Sequence, residues 1–135
     1  MVEFENSYLQ VWIDPELHLL YSEWLRNVTS DEYRQGNTLL ADMLHQHDIR
    51  HWIADSAYLG EICPDDVVWT IQDLAPRIIS SSVLKIARIS GEDRVSYVKF
   101  KEFMEKASIG AEGSLEVRQY MSYKEAADWI GQITS

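Results

Sequence analysis

Residues 50–68 read RHWIADSAYLGEICPDDVV. An apolar run, His51-Trp52-Ile53-Ala54, stops at Asp55-Ser56. That is the signature of a short buried strand over Arg50–Asp55. Pro64 suits a first helical position, and Asp65 and Asp66 complement the positive end of a helix dipole. Strand, short loop and helix in this order point to a parallel α/β sheet. In such sheets ligands and switches sit in the loops leaving the carboxyl ends of strands, so a site is expected between Asp55 and Asp66.

Working outward, Tyr8–Ile13 and Leu17–Leu25 are rich in β-formers and flank Asp14-Pro15-Glu16, which predicts an antiparallel hairpin. Thr29-Ser30-Asp31-Glu32 is a capping box with Val28 and Tyr33 as its staple. It opens a helix to about His47 with Tyr33, Leu40, Met43, Leu44 and His47 turned inward. After Pro64, Val67, Ile71, Leu74 and Ile78 repeat at helical spacing, and Pro76 is expected to kink or end that helix. Val83–Ile89 reads as a strand. A helix near Arg94–Ala107 follows, with Tyr97, Phe100 and Met104 on one face, then a loop bracketed by Gly110 and Gly113. Leu115–Met121 is the last strand. Ser122-Tyr123-Lys124-Glu125 is a second capping box, stapled by Met121 and Ala126, before a helix with Ala126, Trp129, Ile130 and Ile133 inward. The expected fold is a single α/β domain over residues 1–135, β-β-α-β-α-β-α-β-α. Its sheet is five-stranded and mostly parallel, with one antiparallel edge strand.

Composition narrows the function. The chain has 135 residues, 46% of them hydrophobic, enough for a core. Its formal charge is −10 and its pI about 4.7, which argues against nucleic acid and against anionic membrane as partners. Most acidic residues are expected on solvated helix faces. Cys63 is the single cysteine, so no internal disulfide is available. The amino-terminal stretch MVEFENSYLQ lacks the pattern of a signal peptide, and the expected compartment is the cytoplasm.

The element order resembles the STAS domain of SpoIIAA-like anti-sigma-factor antagonists, more loosely the lipid-binding CRAL-TRIO domains, and most closely small bacterial STAS-like proteins. Two segments carry the resemblance: Glu116–Ile130 (EVRQYMSYKEAADWI), similar to the family's closing strand, capped turn and helix, and the strand–loop–helix over Ile53–Asp66. The resemblance implies a phosphorylatable serine at the start of the second helix. Laying its motif from Asp55 puts Cys63 at the motif's Asp and Pro64 at the serine. No Ser or Thr lies between Ala57 and Trp69, so the phosphoswitch is expected to be absent. Asp65 and Asp66 either cap the helix or present permanently the charge a phosphoserine would carry.

Other chemistry is thinly signalled. Asp55-Ser56 could form part of a nucleophilic pair, but the sequence identifies no base, oxyanion hole or G-x-S-x-G elbow, and a strand-end Asp ordinarily bonds loop amides. His45 and His47, at i, i+2 on a helix, point apart, and no metal site is expected. Cys63 precedes a helix start, but Asp65 and Asp66 oppose a lowered thiol pKa. Five tryptophans and seven tyrosines exceed what a small core needs. Trp52 and Trp129 are expected in the core. Trp12 and Trp24 on the hairpin are either an aromatic contact surface or packed under the first helix.

The leading expectation is a non-enzymatic protein-interaction or regulatory module of the STAS-like type, a homodimer, without cofactor or metal. Its interaction loop would comprise Asp55, Ser56, Tyr58, Glu61, Asp65 and Asp66. The alternative is a carrier of a small apolar ligand or lipid in the manner of CRAL-TRIO domains, which requires a persistent apolar cavity. A third class, an enzyme using Asp55, Ser56 or Cys63, has the least support.

Overall fold

The turn after Asp14 shows how directly local chemistry shapes this chain. The Asp14 carboxylate accepts from the Glu16 and Leu17 amides at 3.0 and 3.3 Å, and His18 takes a left-handed φ of 52°. The chain reverses between β2 (Leu9–Asp14) and β3 (Leu19–Trp24), which pair antiparallel. In the computed structural model, which describes residues 2–91, 98–102, 105 and 115–131, this hairpin lies within a larger sheet. Its strands are β1 (Val2–Glu5), β2, β3, β4 (His51–Asp55), β5 (Lys85–Ile89) and β6 (Glu116–Tyr120), in that spatial order. β2 pairs antiparallel with both β1 and β3, and β3 to β6 run parallel.

The sheet therefore has six strands where five were expected. The additional one is β1, and it corrects the edge: β2, the strand that runs against the others, is paired on both sides, and β1, paired antiparallel to it with an irregular register between Val2 and Phe4, is the edge. Such an irregularity at an edge discourages pairing with another chain.

Helix α1 (Ser30–Gln46) opens on the expected capping box. Thr29 Oγ1 accepts from the Glu32 amide at 3.2 Å, and Glu32 accepts from the Thr29 amide at 3.0 Å. Tyr33, Leu40, Met43 and Leu44 are buried as expected, whereas His47 is exposed because the helix has ended there. The second helical stretch is continuous through Pro76. It comprises α2 (Pro64–Trp69), a π-helical turn (Thr70–Leu74) and α3 (Ala75–Ile79). Pro76 cannot donate to the fourth carbonyl back, and its ring would crowd that carbonyl. The wider turn, in which the Ala75 amide reaches the Thr70 carbonyl, accommodates it, so the proline neither stops nor breaks the helix. Residues 98–102, designated α4, are helical; Tyr97, Met104, Gly110, Gly113 and Ile133 lie outside the described residues. The last helix, α5 (Tyr123–Gly131), buries Ala126, Trp129 and Ile130. Met121, expected to staple it, is 53% exposed.

From β3 onward each strand is added on the same side of its predecessor. Right-handed crossovers that always step in one direction place their helices on one face. Accordingly α1 and the α2–α3 stretch pack on that face with Leu9, Leu20, Trp52 and Ile86. Among the described residues, helix α5 alone lies on the other face, covering Ile53, Ala87 and Ile89. No helix among the described residues is long and apolar enough to cross a membrane.

Register separates the two hairpin tryptophans. Trp24 pairs with Leu9 and Trp12 with Tyr21, so they occupy opposite faces. Trp24 is buried, stacked between Tyr8 and Tyr33, each 6.1 Å away, which is the packed alternative; Trp12 is 44% exposed. A Cβ at Gly36 would come 2.6 Å from Trp24 Cη2, so α1 needs glycine there to approach the sheet. Gly36→Ala should therefore lower stability by about 1–3 kcal/mol despite the better helix propensity of alanine. Trp12→Ala should cost less than about 1 kcal/mol. Urea unfolding of both variants checks the assignment.

Candidate functional site

The stretch after β4 closes over the helix-bearing face of the sheet. The Ser56 amide donates to the Ile89 carbonyl at 2.9 Å, tying the loop to β5, and Leu59 is bound back to Ser56. Gly60 has a left-handed φ of 85° and lies so close to the Asn27 side chain that a Cβ there would meet it at 2.7 Å. These restraints hold the loop as a wall, and behind it lies a cavity of about 400 Å³.

Among the described residues, five parts of the fold line the cavity, one of them α1 through Tyr33 and Asn37. Strands β4, β5 and β6 supply the floor through Trp52, Ala54, Ile86 and Val117. The α2–α3 stretch contributes Val67, Thr70, Leu74 and Ile78, with Leu74 and Thr70 from the π turn. The loop adds Ser56, Leu59 and Ile62, and α4 adds Lys99 and Phe100. The lining is predominantly apolar with few polar groups, the make-up of small-molecule pockets. Two cations reach it. Arg88 lies over the Phe100 ring at 4.5 Å and donates to Gln119, while Lys99 pairs with Glu61 at 2.5 Å where the lining meets the surface.

The expected loop residues divide by location. Asp55 is half-buried: one oxygen accepts from the Ala57 amide at 3.1 Å, the turn role, and the other from the Tyr21 hydroxyl at 3.2 Å on the opposite face. Ser56 is buried and lines the cavity, with no imidazole within hydrogen-bonding distance among the described residues. Tyr58 is 62% exposed, and Glu61 is at the rim. Asp65 is exposed, but Asp66 is only 2% exposed, and its carboxylate is turned away from solvent toward α1. It accepts from Arg34 Nε at 2.7 Å, Ser30 Oγ at 2.8 Å and Cys63 Sγ at 3.2 Å. Asp66 thus locks α2 onto α1, and Cys63 is engaged as a donor at the helix start.

The histidines serve packing and chain reversal. His18 contacts the Asp48 carbonyl at 3.0 Å, His45 the Arg77 carbonyl at 2.8 Å, and buried His51 the Leu17 carbonyl at 3.2 Å. No cluster of metal-ligating side chains occurs among the described residues.

The cavity cations were not singled out in the sequence, although a signal was present. Val83–Ile89 is a buried strand pattern interrupted by Lys85 and Arg88. Their odd spacing sends them to opposite faces. Lys85 lies 4.5 Å over Trp129 under α5, and Arg88 enters the cavity wall. Compared with family models, curated proteins and solved structures, the chain shows no match.

Burial pushes the Asp66 carboxyl up, but the hydrogen bonds from Arg34, Ser30 and Cys63 together outweigh it and hold the group below its ordinary range. A depressed folded pKa gives stability that is complete above the unfolded value, about 3.9, and is lost as pH falls through the folded one. Asp66→Ala should cost about 2 kcal/mol at neutral pH, because Arg34 can rehydrate while the paired donors lose their acceptor. In urea unfolding between neutral pH and pH about 3, the gap between wild type and variant should narrow only below pH about 4.

Proposed function

We propose that this domain binds a small, largely apolar ligand in the cavity between the sheet and the α2–α3 stretch. The observation that carries this reading is the cavity itself. A volume of about 400 Å³ lies within the range used for small ligands, and a mainly apolar wall of that size is a cost to the fold unless it is filled. The restrained loop over Ser56–Ile62 supports a binding role, since it closes a pocket on rigid elements. The polar groups at the wall, Ser56, Asn37, Thr70 and Arg88, with the Glu61–Lys99 pair at the rim, are few enough to orient a ligand without making the site hydrophilic. The resemblance of the element order to STAS-like and CRAL-TRIO domains is compatible with this proposal, and fold likeness alone says little about function.

A second reading, the protein-interaction module, draws on a different observation: the face of β1–β3 opposite α1 carries exposed Trp12 against half-buried Tyr21. The two readings use opposite faces of one sheet.

A neutral dansyl-alkylamide should bind saturably with one site per chain, followed by fluorescence enhancement. Ala54→Phe, which fills the floor, should weaken binding at least about tenfold while the circular dichroism spectrum is unchanged. Val68→Phe, at an exposed position outside the cavity, should bind like wild type. Equal affinity in wild type and Ala54→Phe would overturn the assignment.

A further inference from the structure

The parallel register of β3 and β4 sets Glu23 directly beside Asp55. Like charges at neighbouring positions of a sheet destabilise it. Asp55 is partly relieved by the Tyr21 hydroxyl and the Ala57 amide. The Glu23 carboxylate, half-buried, has no hydrogen bond or ion pair among the described residues, and no Lys, Arg or His there pairs with either carboxylate. Burial first, and then the Asp55 charge, push the Glu23 carboxyl above its ordinary value, while burial, Asp55 and Glu23 raise the Tyr21 phenol. The fold thus sets a second carboxylate, Glu23, beside Asp55, and only Asp55 has a structural role.

Aromatic rings surround the pair. Trp12 packs across the strands on Tyr21 at 6.0 Å, and Tyr21 meets Tyr123 edge-on at 5.4 Å. Trp12 is 44% and Tyr123, the first residue of α5, 52% exposed, so both present surface to solvent at the edge of the region that α5, packed on β4 to β6, covers. Ring faces beside carboxylates make a receptor for an organic cation: the quadrupoles attract the charge and the carboxylates neutralise it.

We infer that the Trp12–Tyr21–Tyr123 face, with Glu23 and Asp55, docks a lysine- or arginine-bearing segment of a partner protein. Charge complementarity selects this occupant. Unpaired carboxylates on a chain of net charge −10 steer cations toward the face. A second copy is disfavoured, because a two-fold contact through this face would set Glu23 and Asp55 against the same groups of the other copy. The inference is independent of the cavity, which lies on the opposite face.

The test is fluorescence anisotropy with a labelled alternating Lys-Ser peptide at about 150 mM salt, where long-range attraction is largely screened. Glu23→Gln and Trp12→Ala should each weaken binding about fivefold. Asp65→Asn, which removes an exposed charge elsewhere, should change it less than about twofold. Glu23→Gln should also raise the urea midpoint, since it removes the like-charge contact, so lost affinity cannot be ascribed to misfolding. Equal losses in Glu23→Gln and Asp65→Asn, with Trp12→Ala binding like wild type, would show bulk charge attraction only and overturn the proposal. So would a Glu23→Gln protein of lowered stability, or a sedimenting dimer that Trp12→Ala dissociates.

Discussion

The one-way winding of the parallel strands is the constraint on which the rest of the structure depends. From β3 to β6 every strand is added on the same side of the last, so the crossover helices share one face of the sheet. That face becomes thick enough to contain a cavity, and among the described residues the other is left to α5. There is no reversal of strand order within the parallel part, and hence none of the crevice that a doubly wound sheet opens between its halves. The cavity forms instead between the sheet and the helices, closed at the end by the loop leaving β4.

Two local devices make this arrangement specific. Asp66 fastens the start of α2 to α1 through Arg34 and Ser30, placing one wall of the cavity. The π turn before Pro76 then adjusts the same helix, so Thr70 and Leu74 reach the cavity while the chain continues to Ile79. Thr70 also bonds both the Asp66 carbonyl, at 2.7 Å, and the Tyr33 hydroxyl, at 2.8 Å, which joins the two devices through α1. The acidic start of α2 is thus largely a structural joint, with only Asp65 facing solvent.

Much of the fold was legible because its signals are local. A side-chain cap at Thr29, an Asp-Pro turn, buried alternation in β2 and β3 and a 3.6-residue period in α1 depend on neighbours within a few residues. Strand β1 was missed because four residues carry too little pattern; Val2–Glu5 is a strand because β2 offers it an edge. The position of the loop between β4 and α2 was legible, since strand and helix signals bracket it, but its division between an inward cavity wall and outward charges was not. Asp65 and Asp66 look alike in sequence, and only the approach of Arg34 and Ser30, more than thirty residues away, distinguishes them.

The sequence by itself determined the alternation of strands and helices, the capped helix starts, the hairpin and the place of the loop after Asp55. Each follows from hydrogen bonds and periodicities short enough to be encoded in adjacent residues. Only the tertiary structure decided which face each aromatic and charged side chain occupies. Trp12 and Trp24 part because register counts residues across strands, and Glu23 meets Asp55 because β3 and β4 align in parallel. The cavity arises where sheet, helices and loop leave space that no single segment contains. Such features depend on contacts between residues distant in the chain, whose distances no local pattern specifies.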